Sequence, residues 1–147
     1  MDAKRQKTAA APTRTIIGGA AAVPVYSPAV VAGDIVYVSG QVALDPSSGT
    51  KDLVGGADVA AQAAQALANL AAVLARAGSS PGQTCMVTIY LTDMAHYGAF
   101  NAAYQAGFIS LLGEGVAPPA RACFAVEALP QPRDALVRRI HQVVEAR

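Results

Sequence analysis

The sequence has no tryptophan, 5% aromatic residues and 14% charged residues in 147 positions. An average soluble domain carries roughly 25% charged residues, so this chain has little charge with which to solvate a large surface. That shortage points to self-association. The scarcity of rings means a core built mainly from Ala, Val, Leu and Ile, and 53% hydrophobic residues exclude disorder over the whole length. The formal net charge is +1. Nothing in that balance calls for a nucleic acid, an acidic lipid or another polyanionic partner.

Other absences narrow the reading further. No apolar run reaches the roughly 18 residues that a membrane span needs; the longest candidate, Asp58 to Arg76, is broken by Gln62, Gln65 and Asn69. Cys85 and Cys123 stand in no CxxC or Cys/His spacing. This argues against a metal site and for free thiols in a reducing compartment, the cytoplasm in the first instance. His96 and His141 are the only histidines. Neither has a partner with which to build a Ser/His/Asp set. Met1 to Arg14 has basic residues but no apolar stretch of the secretory kind, and reads as a flexible tail, with a mitochondrial or similar presequence as the alternative. A single domain is expected over residues 15–147.

What is present has clear periodicity. Thr13 to Ile17 suits a strand closed by Gly18-Gly19. From Ala29 to Val42 two short apolar runs hinge at Gly33-Asp34, which predicts a β-hairpin, and Asp45 to Gly49 predicts a polar turn. Asp58 can cap a helix that continues to about Ala77 and stops at Gly78. Its polar residues Asp58, Gln62, Gln65, Asn69 and Arg76 fall opposite Val59, Ala63, Leu67, Leu70, Val73 and Leu74. Thr84 to Leu91 reads as a central strand. A second helix is expected from Met94 or Ala95 to Leu112, with Phe100, Tyr104, Phe108 and Leu111 on its buried face. Ala120 to Ala128 and Ala135 to Val144 read as strands around a turn at Leu129 to Asp134. The order β-β-β-α-β-α-β-β implies an α+β sandwich, a sheet with two helices on one face. The other face then needs a cover, which a homo-oligomer supplies.

The residues that can carry chemistry are few. Arg121 begins the run Arg-Ala-Cys-Phe-Ala-Val, and strand alternation puts Arg121, Cys123 and Ala125 on one face. A guanidinium offers a planar fork that matches a carboxylate, so Arg121 either holds a small acid or closes an ordinary strand-end salt bridge. Tyr26, two residues from both Pro24 and Pro28, and Ser39-Gly40-Gln41 read from their segments alone as loop packing and a strand end. Asn101 lies among aromatics on the second helix, where it can brace a site. Cys123 is a candidate nucleophile, although neither a helix N-terminus nor a His⁺ activates it in the sequence.

Taken together, VYSPAV (Val25 to Val30), YVSGQVALDPSSG (Tyr37 to Gly49), ARAG (Ala75 to Gly78), TDMAHYGAFNAAY (Thr92 to Tyr104) and PPARACFAVEALP (Pro118 to Pro130) resemble the reactive intermediate deaminase family, also called the RidA, YjgF or endoribonuclease L-PSP family. The resemblance covers about Ala22 to Val144. It implies a chorismate-mutase-like fold with a mixed sheet, and a homotrimer with ligand clefts between subunits. It implies that Arg121 binds the substrate carboxylate, that Tyr26 lines the cleft, and that Ser39 and Gly40 form its floor. Cys123 would contact the ligand through its backbone, and Asn101 matches the helix asparagine of the family. The implied substrates are enamine and imine acids such as 2-aminoacrylate, hydrolysed to 2-keto acids and ammonia without metal or cofactor. Deaminating members commonly carry a final-strand glutamate proposed to hold the water. Here the corresponding stretch, Ala135 to His141, has no acid in register, and Leu136 stands at that position. The leading reading is therefore an imine deaminase, and the alternative is a carboxylate-binding member without hydrolysis. Ribonuclease activity is a third reading, for which a +1 chain with two unplaced histidines supplies neither a basic groove nor an acid/base pair.

Overall fold

The computed structural model describes residues 13–18, 25–50 and 52–127, and the backbone of residues 137–145. Within these the elements run β1 (Arg14–Ile17), β2 (Ala29–Ala32), β3 (Ile35–Gln41), α1 (Val59–Arg76), β4 (Thr84–Leu91), α2 (Tyr97–Gly107), β5 (Ala120–Ala125) and β6 (Val137–Glu145). This is the order expected from periodicity. The strands make one sheet in the order β1-β2-β3-β6-β4-β5. Only β4 and β5 pair in parallel, as a right-sized helical crossover through α2 allows, and the remaining pairs are antiparallel. Arg14, the last residue assigned to the tail, already pairs with Ala32.

Local chemistry explains most element ends. The β2–β3 hairpin turns at Gly33, whose φ of 61° lies in the left-handed region that favours glycine, and Ala32 then pairs with Ile35. The Asp58 carboxylate accepts the amide protons of Ala60 and Ala61, at 2.8 and 3.2 Å, and opens α1. At the other end the amides of Gly78 and Ser79 donate to Ala75 and Leu74, with Gly78 at φ 74°. That pair of bonds satisfies carbonyls that a helix end would otherwise leave open.

The core lies between the helices and one sheet face. Val36 and Val38 of β3 and Val87, Ile89 and Leu91 of β4 meet Leu67, Leu70 and Leu74 of α1 and Phe100, Tyr104 and Phe108 of α2. Alanines at Ala63 and Ala66, both fully buried, let α1 sit close to its neighbours.

Three expectations need correction. The polar side of α1 is solvated only at its ends, Asp58 and Arg76, whereas Gln62 is fully buried and donates to the carbonyl of Gly56. Asn69 donates to the carbonyls of Val42 and Leu44 at 2.8 and 2.7 Å while accepting from Gln65. This side therefore holds the segment between β3 and α1, whose own bridge joins Leu44 to Leu53. Secondly, the second helix is regular only to Gly107 and tightens into a 3₁₀ turn over Ile109–Leu111. Ser110 donates to Ala106 and Gly107 there, and Leu112 is buried in place of Leu111, which is 57% exposed. Thirdly, β5 ends at Ala125 rather than running on to Ala128, and Glu127 is exposed beyond its end. The expected turn at Leu129 to Asp134, and Leu136, lie outside the described residues.

The opposite sheet face carries apolar residues. Ile16, Val30 and Tyr37 form one row across β1, β2 and β3, and Tyr90 and Phe124 pair across β4 and β5 with ring centroids 6.4 Å apart. Tyr37 and Phe124 are each about half exposed. Among the described residues, no helix is long and apolar enough to cross a membrane.

Candidate active site

Arg121 is the second residue of β5, beside Val87 of β4. Because Val87 and Ile89 point into the helical layer, their parallel partners Arg121 and Cys123 do so too. The alternation read from the sequence holds at these two positions. Above them, α2 places Tyr97, Asn101 and Tyr104 at spacings of four and three residues, hence on one helix face. The guanidinium reaches all three. Its Nη1 donates to Asn101 Oδ1 at 2.7 Å, its Nη2 donates to the Tyr97 hydroxyl at 2.8 Å, and its Cζ lies 5.0 Å from the Tyr104 ring centroid and 5.6 Å from that of Tyr97. Among the described residues, every one of these partners is neutral. A salt-bridge role for Arg121 therefore finds no support in its contacts.

The surroundings shape the titration of this corner. Tyr104 is buried, stacks between Phe100 and Phe108 at 6.1 and 5.2 Å, and its hydroxyl has no hydrogen-bond partner among the described residues. Burial pushes that phenol up to about 12, with the Arg121 charge acting in the opposite direction. A neutral ring face thus lies against the cation, the favourable arrangement for a cation–π contact. Burial likewise pushes the Cys123 thiol up, against a smaller lowering by Arg121. A thiol so placed is held in its protonated, weakly nucleophilic form.

The other expected residues gather elsewhere. Ser39 Oγ donates to the Ser27 carbonyl at 2.6 Å and the Ser39 amide donates to Pro28 at 2.9 Å, pinning the segment after Tyr26 to the end of β3. Gly40 sits where the β3–β6 register shifts between Val38 and Gln41, and Gln41 turns its amide back to the Ser39 carbonyl. Tyr26 is about half exposed. Val38, Gln142, Val87 and Arg121 form one row across β3, β6, β4 and β5. Three strand spacings of about 4.8 Å put Val38 and Arg121 roughly 14 Å apart. One chain thus joins Arg121, Cys123 and Asn101 and leaves Tyr26, Ser39 and Gly40 in a second group. Among the described residues, no group of three His, Cys, Asp or Glu side chains is placed to hold a metal ion.

Tyr97 is the site residue that sequence reasoning missed. The signal was available, since Tyr97, Asn101 and Tyr104 share one helix face by spacing alone. What the spacing does not tell is that β5 runs beneath that face.

Comparison with known proteins places the chain. Its sheet order and helices are those of the chorismate-mutase-like α+β proteins of the Rid and YjgF group: YyfA of Yersinia pestis, a conserved Rid family protein, superposes with a TM-score of 0.78 at 31% identity over 91% of this chain and 100% of its own. A family model described as Endoribonuclease L-PSP matches residues 12–138. The chain belongs to that family. It is 42% identical over 111 residues to the 2-iminobutanoate/2-iminopropanoate deaminase of Mus musculus, covering 76% of each chain. It is 39% identical over 110 residues to the RutC family protein y4sK of Sinorhizobium fredii, covering 75% of this chain and 80% of that one. Imine deaminases are thus among the members of the family it resembles.

Proposed function

We propose that this protein hydrolyses small 2-imino acids, and their enamine tautomers such as 2-aminoacrylate, to 2-keto acids and ammonia. The observation that carries the reading is Arg121, a partly buried cation whose partners are an amide oxygen, a hydroxyl and aromatic faces. Such a cation is poised for an external anion, because a buried charge is most favourable when an opposite charge meets it. A planar α-carboxylate fits its remaining N–H groups. The likeness to the 2-iminobutanoate/2-iminopropanoate deaminase supports an imine beside that carboxylate.

The chemistry asks little of the protein. The iminium carbon is electrophilic already, so water oxygen adds to it, the carbinolamine collapses, the C–N bond breaks, and ammonia leaves as the carbonyl forms. Clamping the carboxylate and orienting the carbon toward one water supplies most of what is required. In this reading Tyr26, Ser39 and Gly40 of one subunit face Arg121, Asn101 and Cys123 of the next, in a homotrimer with its clefts between subunits. The separation of the two groups within one chain and the apolar sheet face with Tyr37 and Phe124 support that assembly. Free Cys85 and Cys123 fit a reducing compartment, taken as the cytoplasm. Residues 1–14 are read as a tail to a single domain.

A second reading has its own support. The resemblance sets Leu136 where deaminating members carry an acid, and burial raises the Cys123 thiol, so neither position supplies a general base. A carboxylate-binding protein without turnover would keep Arg121 for the same reason. The test is ammonia and keto-acid release from 2-aminoacrylate generated by a dehydratase, with the protein, with Arg121→Ala and with buffer. Acceleration lost in Arg121→Ala supports the deaminase. No acceleration, with Arg121-dependent keto-acid binding intact, selects the binding protein.

A further inference from the structure

We infer that Tyr97 is a positioning residue: it sets the plane of the Arg121 guanidinium and so makes the site select a flat carboxylate over a tetrahedral anion of the same charge. This rests on the carboxylate-binding reading of Arg121, which it deepens.

The geometry carries it in three steps. Tyr97 opens α2 after a 3₁₀ turn over Met94–His96, itself fixed by Asp93, whose carboxylate accepts the Ala95 amide at 2.8 Å. The phenol therefore projects from a braced position. Its oxygen takes Nη2 at 2.8 Å while Asn101 takes Nη1 at 2.7 Å, so the two terminal nitrogens are held by separate side chains one helical turn apart. The Tyr104 ring, 5.0 Å from Cζ, limits movement out of the plane. A guanidinium has five N–H groups in one plane. Two are taken, and three remain in that same plane.

A planar carboxylate can meet that fixed edge with two parallel bonds. A tetrahedral anion carries further substituents out of the plane, which a fork that cannot tilt accommodates poorly. Without the Tyr97 oxygen the guanidinium keeps Asn101 as a pivot and gains freedom to tilt. Affinity for the flat acid then falls, and the discrimination narrows.

The test compares wild type, Tyr97→Phe and Arg121→Ala by calorimetric titration with pyruvate and with methyl acetylphosphonate, a monoanionic tetrahedral analogue. Steady-state turnover of the imine and melting temperature accompany it. Tyr97→Phe keeps the ring and loses one hydrogen bond. It is expected to weaken pyruvate binding about three- to tenfold and to reduce the pyruvate-to-phosphonate preference. Where turnover is measurable, KM rises and kcat stays within about twofold, because the carboxylate is held alike before and during reaction. An unchanged preference in Tyr97→Phe, whether affinity or melting temperature moves or not, overturns the inference and leaves the carboxylate site standing. A fall in kcat at constant KM also overturns it. Failure of wild type to bind pyruvate at all overturns both this inference and the reading on which it rests.

Discussion

Arg121 on β5 and Asn101 on α2, twenty residues apart, are joined by a 2.7 Å hydrogen bond in which the arginine donates to a neutral amide oxygen. The neutrality of that acceptor matters more than the bond. Replacing Asn101 by Asp puts a carboxylate at the same place and satisfies the cation internally. Asn101→Asp is therefore expected to lower keto-acid affinity about tenfold or more while leaving the melting temperature unchanged or raised. Calorimetric titration beside a thermal melt checks both halves, and undiminished affinity would show that the charge of Arg121 is not what the ligand meets.

Tyr37 and Phe124, each about half exposed in the single chain, mark the face that a second copy is proposed to cover. A charge there would be buried without a partner in the assembly, at a cost of several kcal/mol. If the proposed trimer forms, Phe124→Asp is expected to lower the mass seen in sedimentation equilibrium from three chains toward one. Turnover should fall with it, because Tyr26, Ser39 and Gly40 would no longer face Arg121. A variant that remains trimeric and active would place the subunit contact elsewhere.

The buried Tyr104 hydroxyl gives the fold an alkaline limit. Its pKa is raised from 10.0 to about 12, so the folded state holds this proton more tightly than the unfolded chain does. The sign follows: the stabilisation is complete below about pH 10 and is lost as pH rises toward about 12. Tyr104→Phe removes the titration and a hydroxyl that has no partner among the described residues. Urea melts between these pH values should show wild type losing stability more steeply than the variant, with the two nearly equal at pH 7.

Asn69 offers a test of the fold remote from Arg121. Its amide serves two carbonyls, those of Val42 and Leu44, and Asn69→Ala leaves both without their donor. A loss of about 2 kcal/mol is expected. Chemical denaturation measures it, and keto-acid affinity at low temperature should be unaffected.

Much of this architecture was legible before any coordinates. Asp58 and Gly78 mark the ends of α1 through bonds made within a few residues, and Gly33 marks the hairpin through a backbone angle. Arg121 was legible as a candidate because an arginine in a strand of small residues has no reason to be there as packing. The parts that were misread depend on distant chain. Gln62 and Asn69 look like a wet face until the segment from Val42 to Gly56 is laid over them. Leu111 matches the helical repeat, but the 3₁₀ turn at Ile109–Leu111 hands its place to Leu112.

By itself the sequence determined the order of elements, the ends of α1, the hairpin and the family, because caps, turn residues and periodicity act over a few residues of local backbone. The tertiary structure decided what meets Arg121. The insertion of β6 between β3 and β4 separates the two groups of site residues, and the crossing of α2 over β5 surrounds the cation with Tyr97, Asn101 and Tyr104. Those contacts depend on packing between distant segments, whose geometry is set only when the hydrophobic faces of the helices and the sheet come together.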